Sequence, residues 1–199
     1  MKKVIIVDYK LGNLFSVAQA CKEVGIDAEI SSAKQDVAEA DAIILPGVGA
    51  AKDIMERIRG HGLIDTIRSL TQPVLGICVG MQILVDASEE EDVECLGIIP
   101  GVAKRLEFAP DNAVPNMGWC QVESASDHPA LSGLDDGAWF YFLHSYAVPV
   151  SEYSLATAQH SSRFTAVIGK DNFVAAQFHP ERSSKAGARF LKNFVDGGV

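Results

Sequence analysis

A three-layer α/β domain, with a mainly parallel central sheet flanked by helices and an antiparallel extension in its C-terminal half, is the fold this sequence predicts. Three observations predict it. In the first half, short runs apolar at every position, such as Val4–Val7 and Ala42–Leu45, alternate with segments whose apolar residues recur at helical spacing. A strand apolar on both faces needs cover on both, and flanking helices supply it. From Leu96 onward Gly, Pro, Asn and Asp break the chain into short extended pieces, a pattern of hairpins rather than crossover helices. The 199 residues, 48% of them apolar, are enough for one domain with a substantial core, so a single domain over residues 1–199 is expected.

The elements follow in order. Val4–Val7 is the first strand; its apolar run stops at Asp8, too short for the core of a signal peptide. Asn13 caps the next helix, in which Leu14, Val17, Ala18, Cys21 and Val24 keep helical spacing until Gly25 closes it. Residues 28–30 form a short second strand and Ala42–Leu45 a third. Pro46-Gly47-Val48-Gly49 then loops into a helix carrying Ile54, Met55 and Ile58, and a helical stretch at residues 63–70 leads to a strand starting at Val74. That strand breaks at Gly76-Ile77-Cys78-Val79-Gly80 and continues into a helix-forming run. Residues 164–178 read as a hairpin turning at Gly169-Lys170-Asp171-Asn172. After Gln177-Phe178-His179-Pro180-Glu181, Ser183 or Ser184 begins a last helix with Phe190, Leu191, Phe194 and Val195 on its apolar face.

Bulk properties exclude several classes of function. A net charge of -9 with no Lys/Arg cluster argues against a nucleic-acid surface. The acidic runs Glu89-Glu90-Glu91-Asp92 and Asp135-Asp136 read as solvated loops. Cys21, Cys78, Cys95 and Cys120 stand far apart with no paired spacing, so neither a metal site nor a disulfide framework is expected, and a reducing cytoplasm is the simplest home. No apolar stretch approaches the roughly 20 residues needed to cross a bilayer, so no membrane partner is expected.

Reactive chemistry is suggested first by Gly76-x-Cys78-x-Gly80. Small residues flanking a cysteine between a strand and a helix have the form of a nucleophile elbow, whose sharp turn lifts the side chain to the carboxyl edge of a sheet. The positive end of the following helix favours a thiolate there. On its own, a buried cysteine after an apolar strand is more often packing than chemistry. A catalytic thiol needs a base and a group to orient it, and His179-Pro180-Glu181 offers both. Proline biases the residue before it toward extended geometry, and in an extended segment residues two apart share a side. Acyl transfer also needs oxyanion donors: the Val79 amide is one candidate, and the Gly47-Val48-Gly49 loop, after a neighbouring parallel strand, is the other.

Gly76-Ile77-Cys78-Val79-Gly80-Met81-Gln82, with Pro46-Gly47-Val48-Gly49 upstream and Phe178-His179-Pro180-Glu181 downstream, closely resembles the triad-type glutamine amidotransferase family. Four further pieces resemble one branch of it, the glutaminase subunits of imidazole glycerol phosphate synthases of histidine biosynthesis: Asp8-Tyr9-x-x-Gly12-Asn13-Leu14-x-Ser16-Val17, Met117-Gly118-Trp119, Tyr141-Phe142-x-His144-Ser145-Tyr146, and Glu181-Arg182-Ser183. The likeness runs from about Ile5 to Phe194. It implies Cys78 as nucleophile toward the side-chain amide of glutamine, His179 as acid and then base, and Glu181 as the group that holds the imidazole. It puts Val48 and Val79 in the oxyanion role and Gly49, Gln82, Glu90 and the Ser145-Tyr146 backbone against the substrate, with Glu90 meeting the α-amino group. It implies no cofactor and no metal. It also implies a partner, a (β/α)8-barrel cyclase subunit that consumes the ammonia and whose ligand raises glutaminase activity, with Met117-Gly118-Trp119 and Tyr141 as the place to look for the docking face. Lys10, Asn116 and Cys120 depart from the Gly, His and Asn common at those positions. Two other readings compete: a glutaminase for another synthase (pyridoxal phosphate type) or a γ-glutamyl hydrolase, and a flavodoxin-like binding module with a structural Cys78.

Overall fold

The structure is a computed structural model that describes residues 2–11, 13–110, 112–124 and 126–197; Gly12 of the Asp8-Tyr9-x-x-Gly12-Asn13 motif lies outside them. The first half runs β1 (Val4–Val7), α1 (Leu14–Glu23), β2 (Ala28–Ser31), α2 (Lys34–Glu39), β3 (Ala42–Leu45), α3 (Ala51–Gly60), α4 (Ile64–Arg68), β4 (Val74–Ile77) and α5 (Val79–Gln82). The second half contributes β5 (Ala87–Ser88), β6 (Val93–Glu94), β7 (Val102–Arg105), β8 (Asn116–Ser124), β9 (Ala138–His144), β10 (Tyr146–Ala147), β11 (Ser154–Gln159), β12 (Arg163–Lys170), β13 (Phe173–Ala176) and α6 (Ser184–Val195).

Nine strands form one sheet in the order β2-β1-β3-β4-β13-β12-β11-β8-β9. The first five are parallel and the rest antiparallel, with β13 parallel to β4 and antiparallel to β12. The antiparallel extension is therefore a continuation of the parallel sheet, and the hairpin returns β13 to its middle. β1, β3, β4 and β13 are buried at every position, as strands covered on both faces must be. Crossovers from β1 to β2 and from β2 to β3 run in opposite directions along the sheet. Both being right-handed, they put α1 on one face and α2 on the other. In keeping with this, α1 packs against α6 and α2 against α4.

Local chemistry sets the element ends. The Asn13 side chain accepts a hydrogen bond from the Ser16 amide, and Gly25 takes φ +81° just past the end of α1, both as anticipated. Aromatic residues of the second half make the core beneath β9: Phe140 stacks on Phe178 at 4.0 Å, and Phe178 meets Phe190 of α6 edge-on at 5.1 Å.

Four features differ from the sequence reading. α2 was not anticipated: it is six residues long, buries only Val37 and has no side-chain cap. A second sheet, β10-β7-β5-β6, is built largely from two-residue strands too short to show periodicity. α5 is a single turn, so its dipole is a weak source of thiolate stabilisation. Pro180–Arg182 is a turn of 3-10 helix rather than an extended segment. Proline's fixed φ suits a first helical position, and its restriction falls on the preceding residue, His179, which alone is extended.

Candidate active site

At the carboxyl edge of the parallel strands, Cys78 sits between β4 and α5 with φ 54° and ψ -109°, a conformation costly for any residue with a side chain. The surrounding backbone holds it: the Cys78 amide donates to Ala176 O at 2.8 Å, and its carbonyl accepts from Met81 N at 3.0 Å. The flanking glycines serve a different purpose from the one their turn-forming character suggests, since neither Gly76 nor Gly80 has a positive φ. They are needed for close approach. A Cβ on Gly80 would lie 1.9 Å from Leu45 O, and one on Gly47 would lie 2.3 Å from Gly80 N. The elbow and the Pro46-Gly47-Val48-Gly49 loop thus cross backbone to backbone, which puts Val48 and Cys78 on the same cavity.

His179 and Glu181 face that thiol from the end of β13. The His179 Nδ1 donates to Glu181 Oε1 at 2.8 Å, and His179, Glu181 and Cys78 border the same cavity. Three backbone contacts fix the imidazole: His179 N donates to Tyr141 O at 2.9 Å, and the Ser183 hydroxyl donates to His179 O at 2.6 Å while accepting from Tyr141 N at 3.0 Å. Burial would push the His179 pKa down; its interactions with Cys78 and Glu181 overcome this and raise it to about 10. Among the described residues the buried Glu181 Oε2 has no hydrogen-bond partner. The other three cysteines are in surroundings that disfavour a thiolate: burial raises Cys21 to about 12, with the Glu181 charge adding to it, raises Cys95 to about 11, and raises Cys120.

All ten residues singled out from the sequence border one cavity of about 610 Å3: Val48, Gly49, Cys78, Val79, Gln82, Glu90, Ser145, Tyr146, His179 and Glu181. Within the acidic run only Glu90 turns inward, its Oε2 accepting from Ala51 N at 2.9 Å, while Glu89, Glu91 and Asp92 are exposed. Gln82 has a structural duty at the cavity wall: its amide nitrogen donates to Tyr146 O at 2.9 Å and to Gln177 Oε1 at 3.1 Å. Gly49 has φ +86°, which its lack of a side chain permits. Among the described residues no group of three or more His, Cys, Asp or Glu side chains is placed to hold a metal ion.

Sequence reasoning passed over Asn13, Ser16, Pro115, Leu143, His144 and Arg182 as cavity residues. For Asn13 and Ser16 a signal was present. They follow β1, where the strand order reverses, and open α/β sheets bind ligands at the carboxyl ends of strands flanking such a reversal. His144 is a second buried imidazole at the cavity, and it is unlike His179. Burial lowers it to about 4, only partly opposed by its contact with Tyr146 O, and the charges of His160 and His179 push the same way. It is held neutral, whereas His179 is the imidazole that keeps a proton.

A parallel α/β sheet carrying a cysteine elbow, a histidine–carboxylate pair and a glycine-bearing loop on one edge is the arrangement of a thiol-dependent amide hydrolase. The model of the family "Glutamine amidotransferase class-I" matches residues 5–197. The chain is 43% identical over 196 residues to the imidazole glycerol phosphate synthase subunit HisH of Xanthomonas axonopodis pv. citri and 44% identical over 198 residues to that of Pasteurella multocida, covering 98% of each chain in both cases. Among solved structures, a glutamine amidotransferase superposes with TM-score 0.75 at 20% identity, covering 96% of this chain and 97% of that one. The structure of PurLQS from Thermotoga maritima gives 0.73 at 17%, covering 98% and 99%. At those identities the structures speak to the fold alone. The chain belongs to the class-I glutamine amidotransferases and, within them, to the group of HisH subunits.

Proposed function

We propose that this chain acts as one amidotransferase domain and is the glutaminase subunit of an imidazole glycerol phosphate synthase in histidine biosynthesis. It hydrolyses glutamine to glutamate and ammonia through Cys78, His179 and Glu181 and passes the ammonia to a cyclase subunit. The observation that carries this reading is the buried pairing of His179 with Glu181 at 2.8 Å, on the wall of the cavity that Cys78, Val48 and Val79 also line.

The chemistry follows from the pair's charge state. With its pKa raised to about 10, His179 is protonated at neutral pH opposite the sulfur. The Cys78 thiolate attacks the side-chain amide carbon of glutamine. The oxyanion that forms is received by the Val48 and Val79 amides. As the C–N bond breaks, the imidazolium gives its proton to the departing nitrogen, which leaves as ammonia, and a thioester remains. The now neutral imidazole takes a proton from water, and the hydroxide adds to the thioester carbon. Collapse releases glutamate and restores the thiolate and imidazolium. Glu181 keeps the ring in register and offsets its charge in both halves. Gly49, Gln82, Glu90 and the Ser145-Tyr146 backbone hold the amino-acid end, with Glu90 opposite the α-amino group. No cofactor or metal enters these steps.

The partner we propose is a (β/α)8-barrel cyclase, with β8 and β9 as the docking face, where Met117, Trp119, Trp139 and Leu143 are exposed. A net charge of -9 speaks against nucleic acid as a partner. Among the described residues no helix is long and apolar enough to cross a membrane, and the cytoplasm is the compartment we propose.

The test is glutamate release by the chain alone, with a cyclase subunit, and with the cyclase plus its nucleotide ligand. Little turnover alone, strong stimulation in the liganded pair and none with Cys78→Ala are expected. Stimulated release that survives Cys78→Ala would refute the nucleophile, and full activity without a partner would point to a free-standing hydrolase.

A further inference from the structure

One backbone carbonyl in the cavity wall, Tyr146 O, accepts two hydrogen bonds, and because a carbonyl can only accept it sets the direction of every bond beyond it. On one side lies His144, whose Nδ1 is 2.9 Å from Tyr146 O and therefore carries the ring proton. Burial lowers His144 to about 4, so the ring is neutral and Nε2 is bare. The atom facing Nε2, Asn116 Nδ2 at 3.0 Å, must then donate. This turns Asn116 Oδ1 toward Cys120, whose thiol donates to it at 3.6 Å. On the other side Gln82 Nε2 donates to Tyr146 O at 2.9 Å and to Gln177 Oε1 at 3.1 Å. The Gln177 amide is thereby oriented with its nitrogen toward the Cys78 sulfur, 3.8 Å away. Asn116, His144, Gln82 and Gln177 are all buried.

We infer that Asn116 and His144 are positioning residues: they fix the Tyr146 carbonyl in the wall of the glutamine pocket, where two hydrogen-bonded arms converge, one from Cys120 through Asn116 and His144 and one from Gln82, whose second donated bond leads through Gln177 to the Cys78 sulfur. The inference deepens the proposed function and rests on it for the meaning of that pocket. It also explains two departures from the family pattern together. Asn116 and Cys120 occupy the positions where His and Asn are common, and here they contact each other. A residue at 116 must present a donor to His144 Nε2, which an asparagine amide and a histidine N–H both supply. A side chain without a donor frees His144 to take its other tautomer, which would aim a lone pair at Tyr146 O.

Two readouts test this on the full chain. The first is the long-range 1H–15N spectrum of the histidine rings. Wild-type His144 is expected to carry its proton on Nδ1, and Asn116→Asp, which puts an acceptor opposite Nε2, is expected to make it take a second proton. A wild-type proton on Nε2 would overturn the inference. The second is steady-state glutaminase kinetics with the cyclase and its nucleotide ligand. Asn116→Leu is expected to raise KM for glutamine about tenfold, with kcat changed less than about threefold, because a buried acceptor loses its donor in the pocket wall rather than at the reacting bond. Asn116→His is expected to restore KM to within about twofold of wild type, since one lost donor accounts for the whole effect. An unchanged KM in Asn116→Leu would sink the inference, as would Asn116→His sharing its defect. A wild-type pair that releases no glutamate fails the proposed function instead, and the ring spectrum still decides the direction of the bonds from Cys120 to Tyr146 O.

Discussion

His179 and His144 border the same cavity, yet burial has opposite consequences for them because their partners differ. His179 faces two groups that are negative when ionised, so its proton is held up to about pH 10, against an ordinary value of 6.5. Between those values the folded chain binds more protons at this site than the unfolded chain. Its contribution to stability is therefore complete below pH 6.5 and is lost as pH rises toward 10. Cys78→Ala removes the interaction with Cys78 that helps raise the ring's pKa while leaving Glu181 in place. The His179 pKa is expected to fall, and the alkaline loss of stability to move to lower pH with it. An NMR titration of the ring and denaturation midpoints across pH 6–11 check this, and a His179 pKa unmoved by the substitution would mean that Glu181 alone holds the proton. His144 works in the other direction. With its folded value near 4 it costs stability as pH falls from 6.5 to 4, since the unfolded chain takes up the proton first.

Elements bring these residues together through crossings that leave no room for a Cβ, and this is where substitution should be most sharply position-dependent. Gly80→Ala puts a methyl 1.9 Å from Leu45 O, an atom of the β3 backbone that cannot swing away, and moving it displaces the loop that carries Val48. A loss of at least about 1–3 kcal/mol is expected, with turnover falling as well. Gly60→Ala is the control. Gly60 is the last residue of α3, has open space around it, and should be neutral or stabilised by up to about 1 kcal/mol. Urea denaturation of both variants decides it, and equal stabilities would show that the elbow and the loop can part at little cost. The same elements show what was legible from the amino-acid order. β1, β3, β4 and α1 were, because their apolar runs and caps are local signals. So was the elbow, whose glycines were recognised even though the reason for them, close approach to Leu45 and Gly47, is a contact between distant segments. The position of β13 between β4 and β12 was not, because its pairing with β4 joins residues about a hundred positions apart. The turn at Pro180–Arg182 was misread because proline constrains its predecessor and starts a helix equally well. His144 and Gln177 were passed over as parts of the site because their roles depend on which atoms oppose them, and no periodicity records that.

At the scale of the whole molecule, the outer end of the sheet has one face on the aromatic core and the other in solvent. Across β8 and β9 the register pairs Met117 with Leu143, Trp119 with Tyr141 and Gln121 with Trp139, so the exposed side chains form one ladder. Phe15 and Phe108 are more exposed but stand singly on α1 and in a loop. A contiguous apolar face at a sheet's end is what a docking surface requires. β9 also reaches the cavity through its own backbone: Tyr141 O accepts from His179 N, and Leu143 O lies 3.7 Å from the Cys78 sulfur. The Arg182 guanidinium, next to Glu181, lies over the Tyr141 ring at 4.3 Å, and Trp119 meets the same ring edge-on at 6.1 Å. A partner that presses on Trp119 therefore presses on the ring of Tyr141, the residue whose carbonyl accepts from His179 N. Trp119→Ala should weaken association with the cyclase by at least about tenfold in Kd, as loss of a central aromatic anchor does. Because Trp119 is half exposed and its strand is paired with β9 over residues 116–122 and with β11 at its end, thermal stability should change little. Titrating the cyclase against stimulated glutamate release, with the thermal midpoint measured alongside, separates the two effects. An unaltered Kd would move the docking face off this end of the sheet.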